Sequence, residues 1–206
     1  MSPLLTAHTG SNAPLFAEIM RHYVPRGARV LDATYGLGNF WRDVEPGAYQ
    51  LITLDTARPA VIRGDLRHVP LADGTVDAVI LDPPYAGNGS KHKRAIGIDS
   101  TYNLPGGLSH VAISGLYVAG MREAARVLRG GWLIVKCQDQ IEGGRQRWQH
   151  RIVMETAEAL GFEVADLFVL VSNGVPLMRH PHQLHARKNH SYFVVCRKTQ
   201  QQGAFL

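Results

Sequence analysis

The chain has 206 residues, 45% of them apolar and 19% charged, with a formal net charge of +5. That length suits one compact domain with a substantial core, and the composition excludes a disordered or fibrous chain. Two cysteines are too few for a disulfide framework, and the longest apolar runs fall well short of the ~20 residues a membrane helix needs.

Ser11-Asn12 before Pro14 predicts a helix start, and Leu15, Phe16, Ile19, Met20 and Tyr23 recur at helical spacing until Pro25. Seven short apolar runs follow: ARVLDA, QLITLD, AVIRGD, VDAVILD, GWLIVKC, FEVADLFVLV and SYFVVCR. Helical patterns separate several of them, at about 111–128 and about 148–160. Near-continuous apolar strands alternating with helices predict a doubly wound α/β domain with a mostly parallel seven-stranded sheet. No helical pattern separates the last two strands, so they are expected to form a terminal antiparallel hairpin at the sheet edge. The whole of 1–206 reads as one domain, with a glycine-rich basic insert at 86–110 and a basic hairpin connection at 172–190. Cys137 and Cys196 lie inside apolar strands and read as buried free thiols. Near Met1 no basic segment precedes an apolar core, which together with those thiols predicts a cytoplasmic protein.

In sheets of this kind ligands bind beyond the carboxyl ends of the strands. The first strand ends in Asp32-Ala33-Thr34-Tyr35-Gly36-Leu37-Gly38, where glycines allow a tight turn and close approach of a ligand. Trp41 stands where a dinucleotide fingerprint wants a third glycine, which disfavours a pyrophosphate cradle. Asp55 ends the second strand, placed to accept hydrogen bonds from ribose hydroxyls. Asp65, after the third, is placed to accept from an adenine amino group. Turn capping at strand ends is the competing explanation for Asp32, Asp55 and Asp65.

The fourth strand runs into Asp82-Pro83-Pro84-Tyr85. This tetrapeptide, downstream of a Gly-x-Gly strand end, resembles the catalytic motif of the S-adenosylmethionine-dependent amino-methyltransferases of DNA and some RNAs. The likeness covers roughly residues 11–197 and implies a class I methyltransferase, Rossmann-like fold. It implies catalytic roles for Asp82, Pro83, Pro84 and Tyr85, and S-adenosylmethionine as cofactor. The cofactor contacts it implies are Asp32, Thr34, Tyr35, Gly36, Gly38, Phe40, Asp55, Asp65 and Leu66. Asn12 and Ala13 join them, at a helix start suited to a carboxylate.

An exocyclic aromatic amine is a poor nucleophile because its lone pair is delocalised. A carboxylate at Asp82 and the Pro83 carbonyl can accept its two hydrogens and stabilise the pyramidal, charged amine. The prolines hold those acceptors still, and Tyr85 offers a face on which a flipped base can stack. Lys91, Lys93 and Arg94 in the insert, and Arg179, Arg187 and Lys188 in the last connection, are the expected phosphate contacts. His180, His182, His185 and His190 are not read as a metal site, because no cysteine or acid lies near them. Asn189-His190-Ser191-Tyr192 resembles a segment found at that place in the family. Lys136 reads as a snorkelling lysine, and Trp132 and Trp148 as core residues.

The motif order matches a small form without a separate target-recognition domain, which leaves recognition to loops, a second copy or another protein. DNA is favoured, with adenine N6 or cytosine N4 as the target. The alternatives are an RNA base amino-methyltransferase, a catalytically inactive nucleic-acid-binding subunit, and a nicotinamide-dependent oxidoreductase.

Overall fold

A computed structural model describes residues 3–56, 59–84, 109–173, 185–186 and 188–199. In chain order the strands are β1 (Ala7–Thr9), β2 (Arg29–Asp32), β3 (Gln50–Asp55), β4 (Ile62–Arg63), β5 (Val76–Leu81), β6 (Leu128–Cys137), β7 (Gln140–Glu142), β8 (Arg145–Arg147), β9 (Glu163–Val171) and β10 (His190–Lys198). The helices are α1 (Asn12–Tyr23), α2 (His110–Val127) and α3 (Gln149–Ala159), with a 310 turn at Asn39–Asp43. Pro14 sits in the first turn of α1, where a missing N–H leaves no bond unmade.

Eight strands form one sheet in the order β1-β9-β10-β6-β5-β2-β3-β4. β2 pairs in parallel with both β3 and β5, and β6 follows β5 in parallel. The chain winds outward from β2 to β4, then returns to the other side at β5. The strand order therefore reverses between β2 and β5, which puts the glycine loop beside the Asp82 segment.

Strand periodicity divides the core between the two faces. Leu31, Val79, Leu81, Leu133, Val135 and Val194 pack under α2 and α3. Val30, Ala78, Ile80, Ile134, Phe193 and Val195 pack under α1 and the 310 turn. Each of the Val, Leu, Ile and Phe side chains among these contributes roughly 1.5–3 kcal/mol by leaving water.

Three features depart from the expectation. β1 adds an eighth strand, pairing in parallel with β9 through Ala7 to Val169 and Thr9 to Val171. Its side chains are exposed or half-buried, so no apolar run announces it. The last two strands are antiparallel as expected, but β10 is not an edge strand: it inserts between β9 and β6. Consecutive burial from Ser191 to Cys196 accompanies that central place, whereas β9 is only partly buried. Finally, β7 and β8 form a separate antiparallel hairpin, turned by Gly143 (φ 56°) and Gly144 (φ 72°). Trp148 follows this hairpin and is 50% exposed, so it is not a core residue, while Trp132 is half-buried against the α1-side core.

Cys137 and Cys196 are buried and unpaired, and burial pushes both thiols up. Among the described residues no helix is long and apolar enough to cross a membrane. Most of the 86–110 insert and of the 172–190 connection, including Lys91, Lys93, Arg94, Arg179 and Arg187, lies outside the described residues, as does Tyr85.

Candidate active site

The loop after β2 is shaped by its first residue. Asp32 is 3% exposed, and its carboxylate accepts from the Thr34 N–H (3.0 Å) and from Trp41 Nε1 (2.7 Å). Burial pushes its carboxyl up to about 6, against those hydrogen bonds. Asp32 therefore organises the loop from beneath. Gly36 (φ 57°) and Gly38 (φ 69°) follow in the left-handed region. A Cβ on Gly38 would lie 2.6 Å from Tyr35 Oη, so Tyr35 folds across the glycine. The Gly36 N–H donates to Asp55 Oδ2 at 2.9 Å, tying the loop to the carboxyl end of β3.

Phe40 is buried, with ring centroids 5.1 Å from Phe16 and 5.6 Å from Phe193. It packs in the core on the α1 side of the loop. Leu66 leans on α2, where its Cδ1 would meet a Cβ on Gly120 at 2.6 Å. Asp65 is engaged by its own loop: its carboxylate accepts from the Arg67 N–H at 2.9 Å and pairs with the Arg67 guanidinium at 2.5 Å. That ion pair holds the Asp65 carboxyl below the usual range. In this arrangement its oxygens face the Arg67 guanidinium.

Asp82 follows β5. Its N–H donates to Thr34 Oγ1 at 2.7 Å, which fastens this segment to the glycine loop and engages the Thr34 hydroxyl. Asp82 Oδ1 is inaccessible to water and, among the described residues, has no hydrogen-bond partner. A buried acceptor without a donor is rare, and a role in chemistry is one physical reason for keeping it. Burial pushes the carboxyl up to about 7, with Lys136 pulling it down and Asp32 adding to the rise. Pro83 is buried, and its carbonyl accepts from Tyr117 Oη at 3.3 Å, which also reaches the Lys136 carbonyl at 2.9 Å.

Lys136 overturns the snorkelling expectation. It is 1% exposed, and its Nζ donates to Asn12 Oδ1 (3.0 Å) and Ser191 Oγ (2.8 Å), 5.0 Å from the Phe193 ring centroid. One lysine thus ties the start of α1 to the start of β10 beside Asp82. Ser191 and Tyr192 give the Asn189–Tyr192 segment a structural role. Tyr192 Oη donates to Asp139 Oδ2 at 3.4 Å, and Asp139 Oδ1 pairs with His150 Nδ1 at 2.7 Å. Outside this shell, Lys188 Nζ lies 5.6 Å from the exposed Trp148 ring centroid. Tyr117 and Asp139 were not singled out by sequence reasoning, and the buried contacts of Lys136 and Ser191 were not foreseen. A lysine and an acid flanking Cys137 at the end of an apolar strand were the available signal.

No protein-family model matches the chain, and no curated protein matches it. Its fold does have solved counterparts. A SAM-dependent methyltransferase from Methanosarcina mazei is 10% identical with a TM-score of 0.54, the match covering 89% of this chain and 98% of that one. Magnesium protoporphyrin IX methyltransferase from Synechocystis PCC 6803, with bound SAH, is 14% identical with a TM-score of 0.53, covering 90% and 80%. A protein described as a DNA modification methylase from Thermus thermophilus is 20% identical with a TM-score of 0.44; the match covers 66% of this chain and spans half the length of that one. At these identities the likeness defines the fold alone. The chain has the class I methyltransferase, Rossmann-like fold.

Proposed function

We infer that this chain transfers a methyl group from S-adenosylmethionine to an exocyclic amino group of a nucleic-acid base, with adenine N6 or cytosine N4 of DNA as the favoured targets. The observation that carries this reading is the inaccessible, unpartnered Oδ1 of Asp82, held at the strand-order reversal by the Thr34 hydroxyl. An acceptor kept there without a donor suits an amine hydrogen supplied by substrate. The Pro83 carbonyl, steadied by Tyr117, offers a second acceptor with a lone pair to spare.

The residues present fit the cofactor. Gly36 and Gly38 keep the loop low at the crevice, and Asp55 stands at the carboxyl end of β3 where ribose hydroxyls are held in such folds. The N-terminus of α1 at Asn12 and Ala13 supplies backbone N–H groups for a carboxylate. Asp65 contributes only where Arg67 yields its place. Bound there, the cofactor supplies an electrophilic methyl group. The protein's part is to hold the amine pyramidal and to stabilise the positive charge it gains. Lys188 and Trp148 offer a cation and a stacking face to a polyanionic chain of bases.

The test is transfer of labelled methyl from S-adenosylmethionine to unmethylated duplex DNA, single-stranded DNA and total RNA, each digested to nucleosides and resolved by mass spectrometry. Label in N6-methyladenine or N4-methylcytosine, lost in Asp82→Ala while cofactor binding persists, is the expected result. Label in an RNA nucleoside would keep the chemistry and change the substrate. No label and no cofactor binding would end the enzyme reading.

A further inference from the structure

Strand register sets a buried cation beside the candidate acceptor. Leu81 pairs with Val135 across the parallel β5–β6 ladder, and both belong to the core under α2 and α3. The next residues, Asp82 and Lys136, therefore turn together to the α1 face. Lys136 cannot reach water, and an ammonium in an apolar strand is retained only where its charge is met. Asn12 and Ser191 satisfy two of its donors but carry no charge. Among the described residues, the ionisable groups acting on Asp82 are Asp32 on β2 and Lys136 on β6. Cys137, next along β6, is in turn acted on by Asp82. The hydroxyls of Thr34 and, through Pro83, Tyr117 adjoin it as well. Lys136 is the one cation in that set, against the buried Asp32 and the half-buried Asp82.

We propose that Lys136, held between the starts of α1 and β10 and set beside Asp82 by the strand register, is a positioning residue that keeps Asp82 in the carboxylate form. This role rests on the reading of Asp82 as the amine acceptor: a neutral carboxylic acid would offer a hydrogen where the amine needs an acceptor. The electrostatics agree in both directions. Burial raises the Asp82 carboxyl and lowers the Lys136 ammonium, and in each case the other group's charge opposes the shift.

The experiment follows the two groups directly and needs no substrate. The Asp82 carboxyl carbon is titrated by NMR in the wild type, in Lys136→Met and in Lys136→Arg, its signal identified by its loss in Asp82→Asn. The expected result is a midpoint raised by about 1–3 pH units in the methionine variant and kept within about half a unit in the arginine variant. An unchanged midpoint in folded Lys136→Met would overturn the proposal. If Lys136→Met does not fold, Asp82→Asn supplies the reciprocal reading: the Lys136 Nζ midpoint falls in the variant, and an unchanged midpoint overturns the proposal equally. A wild type that methylates nothing, yet shows the Asp82 shift, would remove the proposed function and leave the pair standing.

Discussion

Replacement of Asp32 by asparagine isolates the energetics of the loop on which the candidate site rests. The ionised carboxylate accepts from Trp41 Nε1 at 2.7 Å and from the Thr34 N–H at 3.0 Å. Asparagine keeps one acceptor and turns an NH2 group toward the other donor, leaving one buried N–H unsatisfied at about 1–3 kcal/mol. Against that loss, the amide removes a buried charge. Burial raises the wild-type carboxyl from 3.8 to about 6, close to 2 pH units, or about 3 kcal/mol at 1.36 kcal/mol per unit. A carboxyl raised in the fold favours the protonated state. Its contribution to stability is therefore full below about pH 4 and is lost as pH rises through about 6. The amide variant has no such loss. Between pH 4, where the wild-type carboxyl is protonated, and pH 7, where it is ionised, Asp32→Asn is therefore expected to gain about 3 kcal/mol relative to the wild type. Urea denaturation at pH 4, 5, 6 and 7 measures it. A difference between the two proteins that stays constant across that range would refute the claim that a buried charge sits under the loop.

Other substitutions test separate parts of the architecture. In Gly131→Ala the new Cβ would lie 2.2 Å from the Asp77 carbonyl oxygen at φ 93°, and backbone cannot swing aside. A loss of about 2–6 kcal/mol is expected, read as a melting point lower by at least about 5 °C. Gly38→Ala is milder, because its Cβ meets the far end of the Tyr35 side chain. It should lower stability by about 1–2 kcal/mol while displacing Tyr35 and weakening S-adenosylmethionine binding in calorimetry; unchanged affinity would remove the loop from the cofactor site. Trp148→Ala, at an exposed position, should change stability by no more than about 0.5 kcal/mol. Its affinity for single-stranded nucleic acid should nevertheless fall by about 1–3 kcal/mol, measured by fluorescence anisotropy. Alanine at Lys91, Lys93 and Arg94 together should flatten the salt dependence of binding, and an unaltered slope would dismiss them as phosphate contacts.

The α/β class, seven of the eight sheet strands and the residues at strand ends were legible because their signals are short-range. An apolar run, a Gly-x-Gly turn or an aspartate before two prolines is complete within about ten residues. From these, Asp82, Asp55 and the glycines came to one edge of the sheet as soon as the strands were ordered. What each carboxylate does there was decided elsewhere. Asp32 binds Trp41 and Asp65 binds Arg67, partners that sequence reading passed over. Asn189–Tyr192 acquired its role only when β10 inserted between β9 and β6. Lys136 is the sharpest case. Beside apolar residues in one strand it reads as a stem reaching for water, but its partner Asn12 lies 124 residues away and Ser191 lies 55 away. Local sequence determines which segments are strands and which residues stand at their ends. Tertiary structure alone decides which charges face each other, because burial and pairing depend on segments that meet only once the sheet has closed over them.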